Sequence, residues 1–358
     1  MRILLLNLNP RHDAGHWRNE HTLLARLAER SRRHTLTNDP EAADLILLCG
    51  LLDNALFPRE IWSHPLYRAH RGKCARLGTE DNVTAWVPGL YASLPRRFAG
   101  AGARGAPYPH VAFADHLPDS PPLAAADGAD RRPPFLYSFL GAFETHPLRR
   151  RIGRLNDERA LIEDTTRHPG REYGQTAETY SAYRERFARM MSQSLFILCP
   201  RGSGASSIRL FEALKAGRVP VIVSDDWTPP NGPDWDSCSL RVREAEVERL
   251  PEILRAAEPL FHRLSQNAAD VWRRFFAAGA LFDYLAGEAM ACLAECGRSR
   301  LRVLRIRQAL TWRFLRRGLL PCAVRAIPVL NHARRGAPIR RCRAASDHLP
   351  CQSPPSAS

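Results

Sequence analysis

One continuous stretch, residues 194–227, constrains this chain more than any other. It holds, in order, an apolar run, a glycine and serine loop, an amphipathic segment and a second apolar run. Residues 195–199 read as a buried strand, 200–206 as a loop, 207–216 as a helix stopped at Gly217, and 219–224 as a second strand. That order is one βαβ unit. In such units ligands collect beyond the carboxyl ends of the strands, where loops meet helix N-termini.

The loop has the chemistry of an anion site. Gly202 and Gly204 let the backbone approach a ligand closely, while Ser206 or Ser207 can cap the helix or offer a hydroxyl to phosphate. Arg201 and Arg209 flank the helix start. A cation in a first helical turn opposes the helix dipole, so Arg209 there answers to an anion. Glu212, three residues on, shares its helical face and is placed to accept from ribose hydroxyls, while Leu210, Phe211 and Leu214 point into a core. A solvated Arg209–Glu212 pair and a purely capping Ser206 are the bland alternatives. The pattern is neither GxGxxG nor a Walker loop, since no Lys-Ser/Thr follows the glycines.

The rest of the chain keeps the α/β cadence. Residues 3–6, 45–49 and 73–79 read as strands and 22–30 as a helix, followed by a region rich in Gly, Ala, Pro and Asp over 100–134. A strand at 135–140 opens a second block, which ends in an almost wholly helical stretch over 244–295. The expected organisation is a Rossmann-like domain at 1–115, a linker at 116–134, a second Rossmann-like domain at 135–297 and a basic tail at 298–358, partly helical with a disordered end.

The formal charge of +15 belongs to that tail: fourteen arginines lie between Arg298 and Arg343, and residues 1–297 hold 38 basic against 36 acidic side chains. A nucleic-acid-binding body is therefore disfavoured, although a catalytically inactive glycan- or nucleic-acid-binding protein that uses the tail is the alternative reading. Residues 301–317 mix apolar side chains with six arginines and suit a helix lying on an anionic membrane surface. Nine scattered cysteines without CxxC spacing and a start too short for a signal peptide point to a reducing, cytoplasmic setting, with a peripheral place on the inner membrane face open to the tail.

The segments Cys199-Pro-Arg-Gly-Ser-Gly, Ser207-Ile-Arg-Leu-Phe-Glu-Ala-Leu and Gly217-Arg-Val-Pro-Val-Ile-Val-Ser-Asp resemble the exostosin-like glycosyltransferases, family 47, in the manner of a bacterial-type member. Phe139-Leu-Gly-Ala, His146-Pro-Leu-Arg, Thr79-Glu-Asp-Asn and Pro88-Gly-Leu-Tyr-Ala-Ser-Leu-Pro extend the similarity more loosely. The resemblance implies a GT-B architecture, two Rossmann-like domains facing a cleft, and an inverting transfer of sugar from a nucleotide diphosphate donor to a glycan or lipid-linked acceptor in polysaccharide biosynthesis. It implies that Arg201, Ser207 and Arg209 hold the diphosphate and that Glu212 holds the ribose.

Such a transfer needs a base for the acceptor hydroxyl and positive charge for the departing diphosphate. Asp81, at the carboxyl end of a first-domain strand, is the expected base, with Glu80 beside it as a near-equal candidate. Glu144, His146, Asp225 and Asp226 are candidate sugar or acceptor contacts, and Trp227 and Trp235 candidate stacking platforms. Asp234-Trp235-Asp236 matches an Asp-x-Asp metal signature but sits in a proline-rich loop. No metal and no cofactor besides the donor are expected.

Overall fold

The structure, a computed structural model, describes residues 1–9, 19–52, 58–81, 83, 85–100, 102–117, 133–168 and 177–296. Most of the expected linker and all of the basic tail at 298–358 lie outside the described residues.

Two all-parallel sheets carry the fold. The first has the order β2-β1-β3-β4-β5-β6, with β1 at Arg2–Asn7, β2 at Thr35–Leu36, β3 at Leu45–Cys49, β4 at Cys74–Gly78, β5 at Gly89–Tyr91 and β6 at Ala103–Gly105. The second has the order β11-β10-β9-β7-β8, with β7 at Phe135–Gly141, β8 at Ala160–Asp164, β9 at Ser194–Pro200, β10 at Val219–Val223 and β11 at Leu240–Arg241. Strands buried on both faces read as unbroken apolar runs, which is why Leu45-Ile-Leu-Leu-Cys49 and the 194–200 run were legible. β2, β5, β6 and β11 are two or three residues long and carry no such run. The chain is thus an α/β protein of GT-B architecture, with strand order reversing between β1 and β3 in one sheet and between β7 and β9 in the other. Crevices beyond the carboxyl ends of strands at such reversals are where open α/β sheets bind ligands.

The helix Leu281–Glu295 was expected with the second block, yet it packs on β3 to β6 and on the helix Glu20–Ala28 of the first sheet. Arg104 fastens it there through Glu288 at 2.7 Å and through Glu295. Its periodicity marks a buried face of Leu281, Phe282, Leu285, Ala286, Ala289 and Cys292, but periodicity does not say which sheet that face meets.

One apolar core runs between the two sheets. Tyr108 meets Phe211 edge-on at 6.0 Å, Phe211 meets Phe276 at 5.4 Å, and Trp227 meets Trp235 at 5.6 Å. Trp227 is only 1% exposed and its indole N–H donates to the Ala92 carbonyl at 3.1 Å. Trp235 is buried beside it with its N–H on Pro230. Neither ring is open to a sugar face, which corrects the stacking expectation: a large aromatic gains more from core burial than a loop position suggests. Among the described residues no single helix is long and apolar enough to cross a membrane.

Candidate functional site

The loop between β9 and the helix Ile208–Lys215 is held from three directions. Arg149, itself buried, donates from Nε to the Arg201 carbonyl at 2.9 Å, from Nη2 to Pro200 at 3.2 Å and from Nη1 to Ala142 at 3.3 Å. From the next strand the Ser224 hydroxyl donates to the Ala205 carbonyl at 2.7 Å. From the first sheet Ser93 and Asp81 close on Gly204, so that a Cβ there would stand 2.5 Å from Ser93 Oγ and 2.9 Å from Asp81 Oδ1. Gly202 has a matching role, since a Cβ would meet the Arg149 guanidinium at 2.9 Å. The glycines are needed for close approach rather than for an unusual backbone angle.

A loop so firmly placed leaves polar atoms unanswered. Ser207 occupies the N-cap position, but its hydroxyl makes no capping bond. Ser206 Oγ, Ser207 Oγ, Arg201 Nε and Arg209 Nε are all buried without a hydrogen-bond partner. A buried unsatisfied polar group costs about 1–3 kcal/mol, so four in nine residues at one helix start are a concentration that asks for an explanation.

Beside this loop opens a cavity of about 430 Å³, whose lining includes Arg26, Arg149, Arg184, Arg209, Glu212, His116 and Thr165. It lies where the loops following β7 and β8 meet the helix after β9, at the reversal point of the second sheet. Four guanidinium groups converge on it. The Arg209 guanidinium carbon sits 5.5 Å from the ring centroids of both Phe139 and Phe187, and that of Arg26 lies 4.2 Å over Phe113. Aromatic faces hold a guanidinium without engaging its N–H donors. Arg184 points Nε and Nη2 at His116 Nδ1, at 3.0 and 2.8 Å. Burial, and then the charges of Arg184 and Lys215, push the His116 imidazole down to about 4, so the ring is neutral and accepts. The Thr165 hydroxyl, on a residue 1% exposed, lines the same cavity without a partner.

Of the residues expected at a donor site, the cavity brings together Arg209 and Glu212. Arg201 does not line it: its guanidinium turns toward Glu244 at 3.8 Å. Asp225 accepts from the Glu244 backbone N–H at 3.2 Å while Glu244 accepts from the Asp225 N–H at 3.1 Å, a reciprocal cap. Asp226 accepts from Arg97 Nη1 at 2.8 Å. His146 caps the helix Pro147–Ile152 by accepting from Leu148 N–H at its Nδ1, and Glu144 is exposed on the preceding turn. Sequence reasoning did not single out Arg149, Arg184, His116 or Thr165. Only Arg149 carried a signal, as the arginine of His146-Pro-Leu-Arg.

On the first sheet, Glu80 and Asp81 follow β4. Glu80 is engaged: its Oε1 accepts from Arg76 Nη2 and from Leu52 N–H at 3.3 Å. Arg76, 1% exposed, also donates to the carbonyls of Leu48 at 3.1 Å and Gly50 at 2.8 Å. Glu20 completes the group, accepting from Gly50 N–H at 2.9 Å and from the Thr79 hydroxyl. Asp81 stands apart from these bonds, against Gly204.

Two parallel sheets with an arginine-lined cavity beside a glycine and serine loop define a class: two-lobed α/β proteins with a cationic cavity at a strand-order reversal. Comparison with known proteins adds a family likeness. Residues 105–257 match the exostosin GT47 domain, so this part of the chain is similar to the exostosin-like glycosyltransferases of family 47. Exostosin-1 of Drosophila melanogaster is 28% identical over 158 residues, covering 40% of this chain and 20% of that protein. A probable glucuronosyltransferase of Oryza sativa subsp. japonica is 30% identical over 148 residues, covering 40% and 34%. The chain therefore spans only about a fifth to a third of the length of these relatives. A solved structure of S. aureus MnaA with UDP aligns over 82% of this chain and 97% of its own at 10% identity and a TM-score of 0.38, too distant to carry an argument.

Proposed function

We propose that this chain transfers a hexosyl or glycuronosyl group, with inversion, from a nucleoside diphosphate donor to a glycan or glycolipid acceptor, without a metal. The unsatisfied buried atoms of Ser206, Ser207 and Arg209 at the helix start beside the arginine-lined cavity are the observation that carries this reading. A diphosphate supplies the oxygens those donors lack, and the ribose hydroxyls fall to Glu212. When the sugar–phosphate bond breaks, negative charge grows on the leaving diphosphate. Fixed guanidinium and hydroxyl donors in a water-poor pocket favour that charge in the transition state more than in the ground state. Arg209 and Arg149 serve this need directly, and Arg201 does so by turning from Glu244. The acceptor enters from the first sheet, where the Thr79–Asp81 turn abuts Gly204 and supplies the base. The names of several relatives, probable glucuronosyltransferases among them, support the sugar class.

Calorimetry against UDP and GDP tests the donor site. Wild type binds one of the two, and Arg209→Ala weakens it about 100-fold, in line with loss of charge-assisted bonds, while its circular dichroism is unchanged. Equal affinity in the variant refutes the assignment.

A further inference from the structure

The turn after β4 offers the transfer three candidate proton acceptors, and the structure separates them. Glu80 is paired with Arg76 and hydrogen-bonded to the Leu52 amide, so its Oε1 is already engaged by two donors. Asp81 is exposed at the tip, against Gly204. The third candidate was not visible in the sequence, because Glu20 lies 59 residues upstream of Thr79. Glu20 is 3% exposed, in the first turn of the Glu20–Ala28 helix, and holds the Thr79 hydroxyl on one oxygen and the Gly50 amide on the other.

We infer that Thr79, backed by Glu20, takes the proton of the acceptor hydroxyl. Thr79 Oγ1 donates its own proton to Glu20, which leaves its lone pairs to accept a hydrogen bond from an incoming hydroxyl. As the acceptor oxygen bonds to the sugar carbon and the bond from that carbon to the diphosphate breaks, the acceptor proton moves to Thr79 Oγ1. The Thr79 proton moves to Glu20, which becomes a neutral carboxylic acid, and the electron pair of the broken bond leaves with the nucleoside diphosphate. Thr79 is the catalytic residue and Glu20 a positioning residue that acts through it.

The electrostatics of the network suit this exchange. Two carboxylates, Glu20 and Glu80, face the single guanidinium of Arg76, with Tyr91 and Cys49 the other ionisable groups near it. Fully ionised, the group holds one negative charge more than Arg76 balances, and a proton on Glu20 restores balance. Burial, opposed by Arg76 and reinforced by Glu80, raises the Glu20 carboxyl to about 7, the range in which a base works best at neutral pH.

The relay rests on the donor-site reading, so binding and turnover are measured separately. Wild type is titrated calorimetrically with UDP-glucose, UDP-N-acetylglucosamine, UDP-glucuronic acid and GDP-mannose. Release of nucleoside diphosphate is then followed with water and with a mixed oligosaccharide pool. Thr79→Val and Glu20→Gln should bind the active donor within about threefold of wild type and release its nucleotide at least about 30-fold more slowly. Thr79→Ser should keep more than about a third of the rate. The wild-type kcat should rise through pH 7, and that limb should vanish in Glu20→Gln. Wild-type release by Thr79→Val overturns the relay, as does loss confined to Asp81→Asn. A protein that binds a donor but never releases its nucleotide also counts against the relay, whereas failure to bind any donor removes the donor site itself. Should Glu20→Gln fail to fold, the comparison of Thr79→Val with Thr79→Ser decides.

Discussion

The loop after β9 and the turn after β4 meet at Gly204, yet they are built by opposite means. The loop is a contiguous run of sequence with buried donors left unsatisfied, and distant residues such as Arg149, which also lines the cavity, and Ser224 hold its backbone in place. The turn is satisfied almost completely, but by a network drawn from two strands and a helix: Leu48 and Gly50 at the end of β3, Arg76 in β4, and Glu20. An anion cradle must keep its donors open for the ligand, whereas a proton acceptor must have its basicity set in advance by buried neighbours. The first arrangement is local and leaves a motif. The second is tertiary and leaves none.

Substitutions can break this contrast, beginning with the largest effect. Arg149→Met strips three buried carbonyls of their donor at once, and urea unfolding should show a loss of about 3 kcal/mol or more, together with loss of nucleotide binding. Glu20→Gln should act oppositely and with pH. The folded-state pKa of Glu20 lies above its ordinary value of 4.5, so its contribution to stability is fully present below about pH 4.5 and is lost as pH rises through about 7. Glutamine has no such dependence. The stability difference should therefore move in favour of Glu20→Gln by roughly 3 kcal/mol between pH 4.5 and 8, measured by thermal melts across that range; a flat difference would show that the buried carboxylate does not titrate there.

Gly204→Ala probes the seam between the two regions. Its methyl group would press on Ser93 and Asp81, and overpacking of this kind should cost about 2 kcal/mol and slow turnover more than it weakens nucleotide binding. The smallest effect belongs to the peripheral bridge between the lobes. Arg97→Ala removes the partly exposed ion pair with Asp226, and a shift beyond about 0.5 kcal/mol would mean that this bridge matters to lobe placement more than its exposure implies.

Legibility in the sequence followed the same division. β3, β7, β9 and β10 were read closely because strands buried on both faces must be continuously apolar, and the helix after β9 was bounded by Gly217. Arg209 and Glu212 were read correctly as sharing a face, and the structure sets both on the cavity wall. Arg201 was read with them from its place beside the helix start and from the resemblance to family 47, and its side chain pairs with Glu244 rather than lining the cavity. Asp225 and His146 were named as sugar contacts because polar residues near strand ends look alike in sequence, whether they cap a turn or wait for a ligand. Thr165 and His116 gave no signal, since neither belongs to a spacing pattern.

By itself the sequence determined the parallel α/β class, the glycine and serine loop and the helix that follows it, because periodicity, glycine placement and capping chemistry act over a few neighbouring residues. The tertiary structure alone decided which arginines share a cavity, that Trp227 and Trp235 are core, that the last helix returns to the first sheet, and that Glu20 meets Thr79. Those outcomes depend on burial and on pairing between residues far apart in the chain. They are set by how the two sheets pack together, which no local pattern records.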